Sequence, residues 1–253
     1  MISKVKLKIK NYIDRELQEH LKQQNRFPYL RRNVIELNSF TELKKLFNWT
    51  DDPILDDPTL LEFTSVVDLN ERRIRDAECI GCVACNSNAS VILEIGTSTG
   101  HTTALLAANA PRARVYTLNI PPEEIAAGEG GTLTTCAPSC EEIGGYYREK
   151  GLRNVTQILA NSATWEPDIG IIDLAFVDGC HDTEFVYNDS QKILNIMKPG
   201  SFILWHDFNP SLTNCYGWID SVCLGVEQLY CHGWLKGLIF HVRDSWVGIY
   251  QVI

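Results

Sequence analysis

From residue 91 onward the sequence predicts an α/β fold: a doubly wound, mostly parallel sheet of seven strands with a C-terminal antiparallel hairpin, preceded by a helical extension. Three observations carry that expectation. Short apolar runs rich in branched residues, the pattern of strands buried on both faces, alternate with helix-like segments. The first run leads through a glycine turn, "LEIGTSTGHTT" (93–103), into a helix. Polar residues then collect where the runs end: Glu94, Asn119, Asn161, Asp178 and Asp207. In open parallel sheets the ligand lies at those carboxyl ends.

The elements follow in order. Residues 1–75 are rich in Lys, Glu, Asn and Gln and read as a mainly helical extension, with helical stretches near 3–23 and 40–48. By analogy with similar architectures it is expected to cap the cleft or to make a contact between copies of the chain. The Pro/Asp cluster "TDDPILDDPT" (50–59) breaks the helical pattern, which resumes toward Cys85. Residues 76–253 read as one α/β domain. Its strands are "VILEI" (91–95), "RVYTLNI" (114–120), "VTQILA" (155–160), "IIDLAFVDG" (171–179) and "SFILWHD" (201–207). Helices are expected at 100–110, at 140–151 and at 182–200, the last stopped by Pro199-Gly200. A Gly-rich excursion at 126–139 is expected to act as a lid, and two strands around Arg243-Asp244-Ser245 close the sheet.

Bulk properties bound the function. The 253 residues, 45% apolar and 22% charged, suit a soluble globular protein with one large core. A net charge of -9 argues against nucleic acid and anionic membranes as main partners, because both need clustered cations. Lys4, Lys6, Lys8 and Lys10 read as a solvated helix face. The first twenty residues lack the apolar core of a secretory signal, so a cytoplasmic location is expected. Nine cysteines then read mostly as free, packed thiols. Cys79, Cys82 and Cys85 are spaced C-x2-C-x2-C, but a cluster needs a fourth thiolate, and Cys136 and Cys140 lie loosely spaced in another segment.

The turn at Gly96-Thr97-Ser98-Thr99-Gly100 admits two chemistries. It fits G-x-S-x-G, the elbow that presents a serine nucleophile in α/β-hydrolases. That reading needs strands and an oxyanion loop upstream, whereas the glycine cluster Gly128 to Gly131 lies downstream. Asp207 with His232 or His241 would be the nominal triad partners, and Glu94 has no role. As a cofactor loop every feature has a use. Gly96 and Gly100 permit close backbone approach, Ser98 offers a hydroxyl, the following helix offers free N–H groups, and Glu94 suits an amino group.

The blocks "VILEIGTSTGHTTALLA", "VYTLNIPPE", "ILANSATW" and "LAFVDGCHDTEFVYNDSQKILNIMKPGSFILWHDFNP" resemble class I S-adenosylmethionine-dependent methyltransferases, especially small-molecule O-methyltransferases of the catechol type and their natural-product relatives. The likeness spans roughly residues 85–253 and implies a Rossmann-like fold. It implies that Gly96, Thr97, Ser98 and Gly100 wrap the methionine part of S-adenosylmethionine, with Glu94 near the amino group and His101 on the cofactor side. Asn119 stands where an acidic residue commonly holds the ribose, and Asn161 with Ser162 where the adenine is contacted; an amide lacks a carboxylate's charge-assisted strength. Asp178, Asp207 and Asn209 would form an oxygen set for Mg2+ or another hard cation. That metal would hold the acceptor hydroxyl and lower its pKa. His181 and His206 are the candidates for general base, with Asp178 beside both cofactor and acceptor. The implied partner is a hydroxylated small molecule. Two rivals follow: a metal-independent methyltransferase with a histidine base, and a non-catalytic nucleoside-binding protein of the same fold, which Asn119 and Asn161 would suit. A nicotinamide dehydrogenase fits less well, since the final glycine of G-x-G-x-x-G and the ribose acid are missing.

Overall fold

The computed structural model describes residues 26–57, 70–134 and 137–253, with the side chains of residues 70 and 71 left aside. The helix expected at 3–23 and Cys136 lie outside the described residues.

Eight strands form one sheet: β1 (Val34–Leu37), β2 (Val91–Ile95), β3 (Arg114–Asn119), β4 (Val155–Leu159), β5 (Ile172–Val177), β6 (Met197–Trp205), β7 (Ile239–Val242) and β8 (Gly248–Gln251). Their order across the sheet is β1-β7-β8-β6-β5-β2-β3-β4. Every pairing is parallel except those of β8, which runs against both β6 and β7. The chain leaves β2 toward β3 and β4, then returns to β5 on the other side of β2. The crevice between β2 and β5 is therefore the switch point, where ligands bind in such sheets.

The helices among the described residues are α1 (Leu30–Asn33), α2 (Phe40–Phe47), α3 (Asn70–Asn86), α4 (His101–Asn109), α5 (Pro122–Ala126), α6 (Gly145–Glu149), α7 (Thr183–Leu194) and α8 (Gly217–Cys231), and the strand pleat divides the core between two faces. Leu93 and Ile95 of β2, with Ala175, Val177, Ile203 and Trp205, pack against Val186 and Ile193 of α7 (Thr183–Leu194) and Val226 and Leu229 of α8 (Gly217–Cys231). Ile92, Leu174, Phe176 and Leu204 face the other way, onto Cys79, Ile80 and Val83 of α3 (Asn70–Asn86) and Leu106 and Ala107 of α4 (His101–Asn109). Cys79 is fully buried in that layer, Cys82 is also fully buried, Cys85 is half-buried, and none of the three forms a disulfide. Burial pushes Cys82 up to about 12, so it is an inert thiol at neutral pH.

Three expectations change. The sheet has eight strands rather than seven, because "VIEL" (34–37) pairs in parallel with β7 from Val34↔Ile239 to Leu37↔Val242. The helix expected at 140–151 is confined to α6 (Gly145–Glu149), since Gly144 takes a left-handed conformation at φ 67°. The helix expected at 182–200 ends at Leu194, and β6 starts at Met197 and runs through the Pro199-Gly200 pair. No helix among the described residues is long and apolar enough to cross a membrane.

Candidate active site

The glycine turn is stitched to its neighbours by backbone. Gly96 N–H donates to Leu118 O (2.8 Å) and Asp178 N–H to Ile95 O (2.8 Å), joining the ends of β2, β3 and β5. Gly96 has φ 103°, and a Cβ there would lie 2.0 Å from the Asp178 carbonyl oxygen, so only glycine fits. Ser98, at φ 47°, donates its backbone N–H to Asn119 Oδ1 (2.9 Å). Gly100 meets a different constraint: a Cβ there would lie 2.8 Å from Gly144 Cα, against the α6 segment.

These strand ends enclose a cavity of about 180 Å³ lined by Gly96, Ser98, Asn119, Asn161, Ser162, Asp178 and His181. Gly130 and Thr134 of the glycine-rich excursion also line it. The excursion is tied down by Asp182, whose carboxylate accepts from the Thr132 N–H (2.6 Å) and hydroxyl (2.7 Å), and by Asn161 Nδ2, which donates to Glu129 O (3.2 Å). Asn119 divides its amide between Ser98 N–H and Ile120 O, which leaves one lone pair and one proton for a ligand. Behind the wall, Ser162 Oγ donates to Asp189 Oδ2 (3.1 Å). The other Asp189 oxygen is buried without a partner, and burial pushes this carboxyl up to about 7.

Four of the residues that the sequence assigned to the cofactor are not in that cavity's wall. Glu94 alternates with Leu93 and Ile95 and so projects under α4, where Oε2 accepts from the hydroxyls of Thr103 and Thr117. Thr97 is buried, its hydroxyl paired with Thr117 Oγ1 (2.6 Å) and accepting from Gln157 Nε2 (2.9 Å). Gly100 packs as described. His101 turns the other way, with Nδ1 2.6 Å from Asp57 Oδ2 and its ring stacked on Tyr146 at 3.9 Å. It borders a second cavity, of about 460 Å³, together with Arg72, Asp76 and His206.

Between the two cavities lies a charge cluster. Asp178 follows β5 and Asp207 follows β6, and their carboxylates converge on two imidazoles. His181 Nε2 is 3.0 Å from Asp207 Oδ2 and 3.5 Å from Asp178 Oδ1. Neither His181 nitrogen has a partner in hydrogen-bond geometry, although both are buried, so proximity here is not a formed bond. His206 Nδ1 is 3.1 Å from Asp178 Oδ1 and 3.4 Å from Asp207 Oδ2. Trp218 Nε1 donates to the second Asp207 oxygen at 3.3 Å. Asp207 sits at φ 51°, a left-handed conformation that a non-glycine residue adopts at a cost of about 1 kcal/mol or more. One ligand atom each from Asp178, His181 and Asp207 lies within 4.8 Å of the others, a spacing that can hold a metal ion.

Asn209 does not complete that set as the sequence implied. Its Oδ1 accepts from Ser211 N–H (3.0 Å), capping the short 3-10 turn Pro210–Leu212, and its Nδ2 donates to Ser245 O (3.3 Å). His181 stands in the cluster instead. The electrostatics follow from burial opposed by charge. Burial would depress His181, but the contacts from Asp178 and Asp207 override it and raise it to about 9. Burial likewise opposes protonation of His206, and the charges of Asp178 and Asp207 hold it well above the usual imidazole range. Burial would raise both aspartates, but the facing imidazoles keep them below the usual carboxylate range. In this arrangement the cluster is two imidazolium–carboxylate pairs, and neither ring is a free base at neutral pH.

The hydrolase alternative is not assembled. His241 Nε2 faces Ser245 O (3.0 Å) and the His232 ring packs edge-on against Tyr187, so neither histidine approaches Ser98. Asp76, Asp182 and Asp189 escaped sequence reasoning. Asp76 and Asp189 carried a signal, each being an acid on an apolar helical stripe: Asp76 with Cys79, Ile80 and Val83 of α3, and Asp189 with Val186 and Ile193 of α7.

Residues 93–208 match the family model described as a methyltransferase domain. The fold is similar to that of solved methyltransferases. A putative O-methyltransferase from Klebsiella pneumoniae is 17% identical with TM-score 0.51, covering 84% of this chain and 94% of that one. The SAH-bound Podospora anserina methyltransferase PaMTH1 is 16% identical with TM-score 0.53, covering 85% and 95%. The O-methyltransferase NovP is 15% identical with TM-score 0.53, covering 72% and 80%. No curated protein matches the sequence.

Proposed function

We propose, on the premise that this chain carries a class I S-adenosylmethionine-dependent methyltransferase domain, that it transfers the methyl group to an oxygen of a hydroxylated small molecule with help from a divalent cation. The observation that carries the finer reading is the Asp178–His181–Asp207 cluster at the edge of the switch-point cavity, with both His181 nitrogens buried and unpartnered. Orphaned ligand atoms of this kind suit a metal. Two carboxylates and one imidazole accept Mg2+, but the nitrogen favours softer ions such as Mn2+ over it. When bound, the ion would supply a Lewis acid that lowers the acceptor hydroxyl's pKa.

The cavity suits the cofactor. Gly96 and Ser98 would hold its methionine end by backbone and hydroxyl, Asn119 the ribose, and Asn161 with Ser162 the adenine. Asp178 lines the same wall and belongs to the charge cluster, so it stands where methyl donor and acceptor would meet. The protein then works by orientation, because displacement at a sulfonium methyl needs in-line attack. Asp178, His181 and Asp207 would hold the cation, which would supply Lewis acidity at the acceptor oxygen. A proton leaving the acceptor can pass to Asp178, or to His181 once that ring has released its own.

The balanced charges within the cluster favour a second reading, in which no ion is needed and His181 or His206 takes the acceptor's proton after first releasing its own. Calorimetry on the full chain with S-adenosylmethionine, and separately with Mn2+ and Mg2+, tests the proposal. Assay against a panel of hydroxylated acceptors, with and without chelator, completes it. The expected outcome is cofactor binding, Mn2+ binding that Asp207→Ala abolishes, and transfer lost with chelator. Transfer that survives chelation overturns the metal, and failure to bind S-adenosylmethionine overturns the reading as a whole.

A further inference from the structure

Asp76 is a buried charged residue that the reading above leaves unused. It lies on α3, before the segment that matches the family model, and is only 5% exposed. Its carboxylate joins three distant parts of the chain. Oδ1 accepts the Trp246 backbone N–H (2.7 Å), just before β8. Oδ2 accepts from Arg72 Nη1 (2.7 Å) one helical turn earlier and lies 3.2 Å from His206 Nε2. The Arg72 guanidinium in turn covers the Trp246 ring at 4.3 Å. Asp76 is thus held on both oxygens before it meets the histidine.

His206 is clamped from opposite edges, with Nε2 toward Asp76 and Nδ1 toward Asp178 at 3.1 Å. An imidazole ring can flip about its Cβ–Cγ bond, and one hydrogen bond leaves that rotation open. Two carboxylates at opposite nitrogens fix the ring and specify a donor at each. The flipped ring would turn Cδ2 toward Asp178 and Cε1 toward Asp76, so that carbon would face each carboxylate in place of nitrogen.

We propose that Asp76 is a positioning residue: by accepting the His206 Nε2–H it aims Nδ1 at the Asp178–Asp207 pair and holds the ring against flipping. This rests on the methyltransferase reading for its purpose, though not for its geometry. Asp76 is absent from the wall of the switch-point cavity, so its loss acts on the acceptor side and spares cofactor binding.

The test is long-range 1H–15N spectroscopy of the full-length chain labelled at histidine nitrogen, with the six histidines separated by single substitutions, His206→Gln among them. The wild type is expected to show a slowly exchanging His206 Nε2–H. Asp76→Asn keeps an oxygen for Trp246 but turns an amide donor toward the ring, so Nε2 should lose its proton and shift toward the acceptor position. Asp76→Glu keeps the charge and should retain the Nε2–H. The affinity for S-adenosylmethionine should stay within twofold in both variants. A wild-type Nε2 without a proton overturns the proposal even if no variant folds. An unchanged Nε2 in Asp76→Asn, or a tenfold loss of cofactor affinity in that variant, also overturns it. If wild type itself binds no S-adenosylmethionine, the methyltransferase reading fails while the His206 signal still judges the clamp.

Discussion

Glu94 is a carboxylic acid sealed from water, one oxygen accepting from two threonine hydroxyls and the other from nothing. Burial dominates and pushes its pKa up to about 8; the Thr103 and Thr117 hydroxyls oppose the rise and the nearby Asp178 charge adds to it. The sign of the resulting pH dependence follows from linkage. An acid whose folded pKa is raised above its unfolded value binds its proton more tightly when folded. Its contribution is therefore complete below the unfolded value of 4.5 and is lost as pH climbs through about 8. Glu94's share of the stability of the ligand-free protein should fall across that window by about 1.4 kcal/mol for each pH unit crossed. Glu94→Gln cannot ionise, so its denaturation midpoint should fall less steeply than that of the wild type over the same window, the remaining slope coming from Asp189, His181 and His206. Urea unfolding at half-unit pH steps measures this; parallel wild-type and variant curves would mean the residue stays ionised. The hydroxyl chain from Glu94 through Thr117 to Thr97 also shows how this acid reaches the glycine turn without touching the cavity.

Among the elements, the buried parallel strands were legible because a strand covered on both faces must be apolar along its whole length, as in "VILEI" and "LAFV". The fourth residue of β2 shows the limit. Sequence places Glu94 at the strand end, but the pleat decides which face it joins, and only the register Glu94↔Thr117 sets it beside β3's hydroxyl. β1 escaped because it is four residues long with Ile35 and Glu36 exposed, so neither length nor alternation marks it. The charge cluster was legible since Asp178, His181, His206 and Asp207 follow adjacent strands. Asn209 was misassigned because an amide two residues beyond an aspartate serves equally well as a turn cap. The excursion at 126–134 gives this scale its prediction. It closes over the cavity at Gly130 and Thr134, and its anchor is the Asp182 carboxylate on Thr132. Asp182→Ala removes two charge-assisted hydrogen bonds, each worth about 1.5–3 kcal/mol when fully formed and less at this exposed site. Cofactor affinity should fall several-fold, and hydrogen exchange at residues 128–134 should quicken with no change elsewhere. Unchanged exchange there would show that the excursion is held by its own packing and is no lid.

At the scale of the whole molecule, residues before the matched domain are built into it. Residues 27–37 lie along α8 and then enter the sheet beside β7, with Phe27 and Leu30 in the same core cluster as Ile219, Val226 and Tyr230. The attachment is specific. Glu227, 3% exposed in the middle of α8, accepts the Tyr29 and Leu30 backbone N–H groups, each at 2.9 Å. Arg26 pairs with Asp220 two turns earlier on the same helix (2.6 Å), and the Tyr29 ring stacks on Tyr230 at 5.9 Å. Glu227→Ala would strand both donors, at a cost on the order of 3 kcal/mol, because a buried N–H that loses its acceptor keeps the full desolvation penalty. For a chain of this length that corresponds to a fall of about 6–12 °C in Tm. If the segment is part of the cooperative unit, thermal unfolding of Glu227→Ala should remain a single transition at the lower temperature. If it is a separable strap, the main transition should stay near the wild-type Tm while protease gains access to residues 26–37 at ambient temperature. The parallel pairing of β1 with β7, and the shared core, favour the first outcome. A main transition unmoved by the substitution would overturn it and make the eighth strand an accessory to a complete seven-stranded sheet.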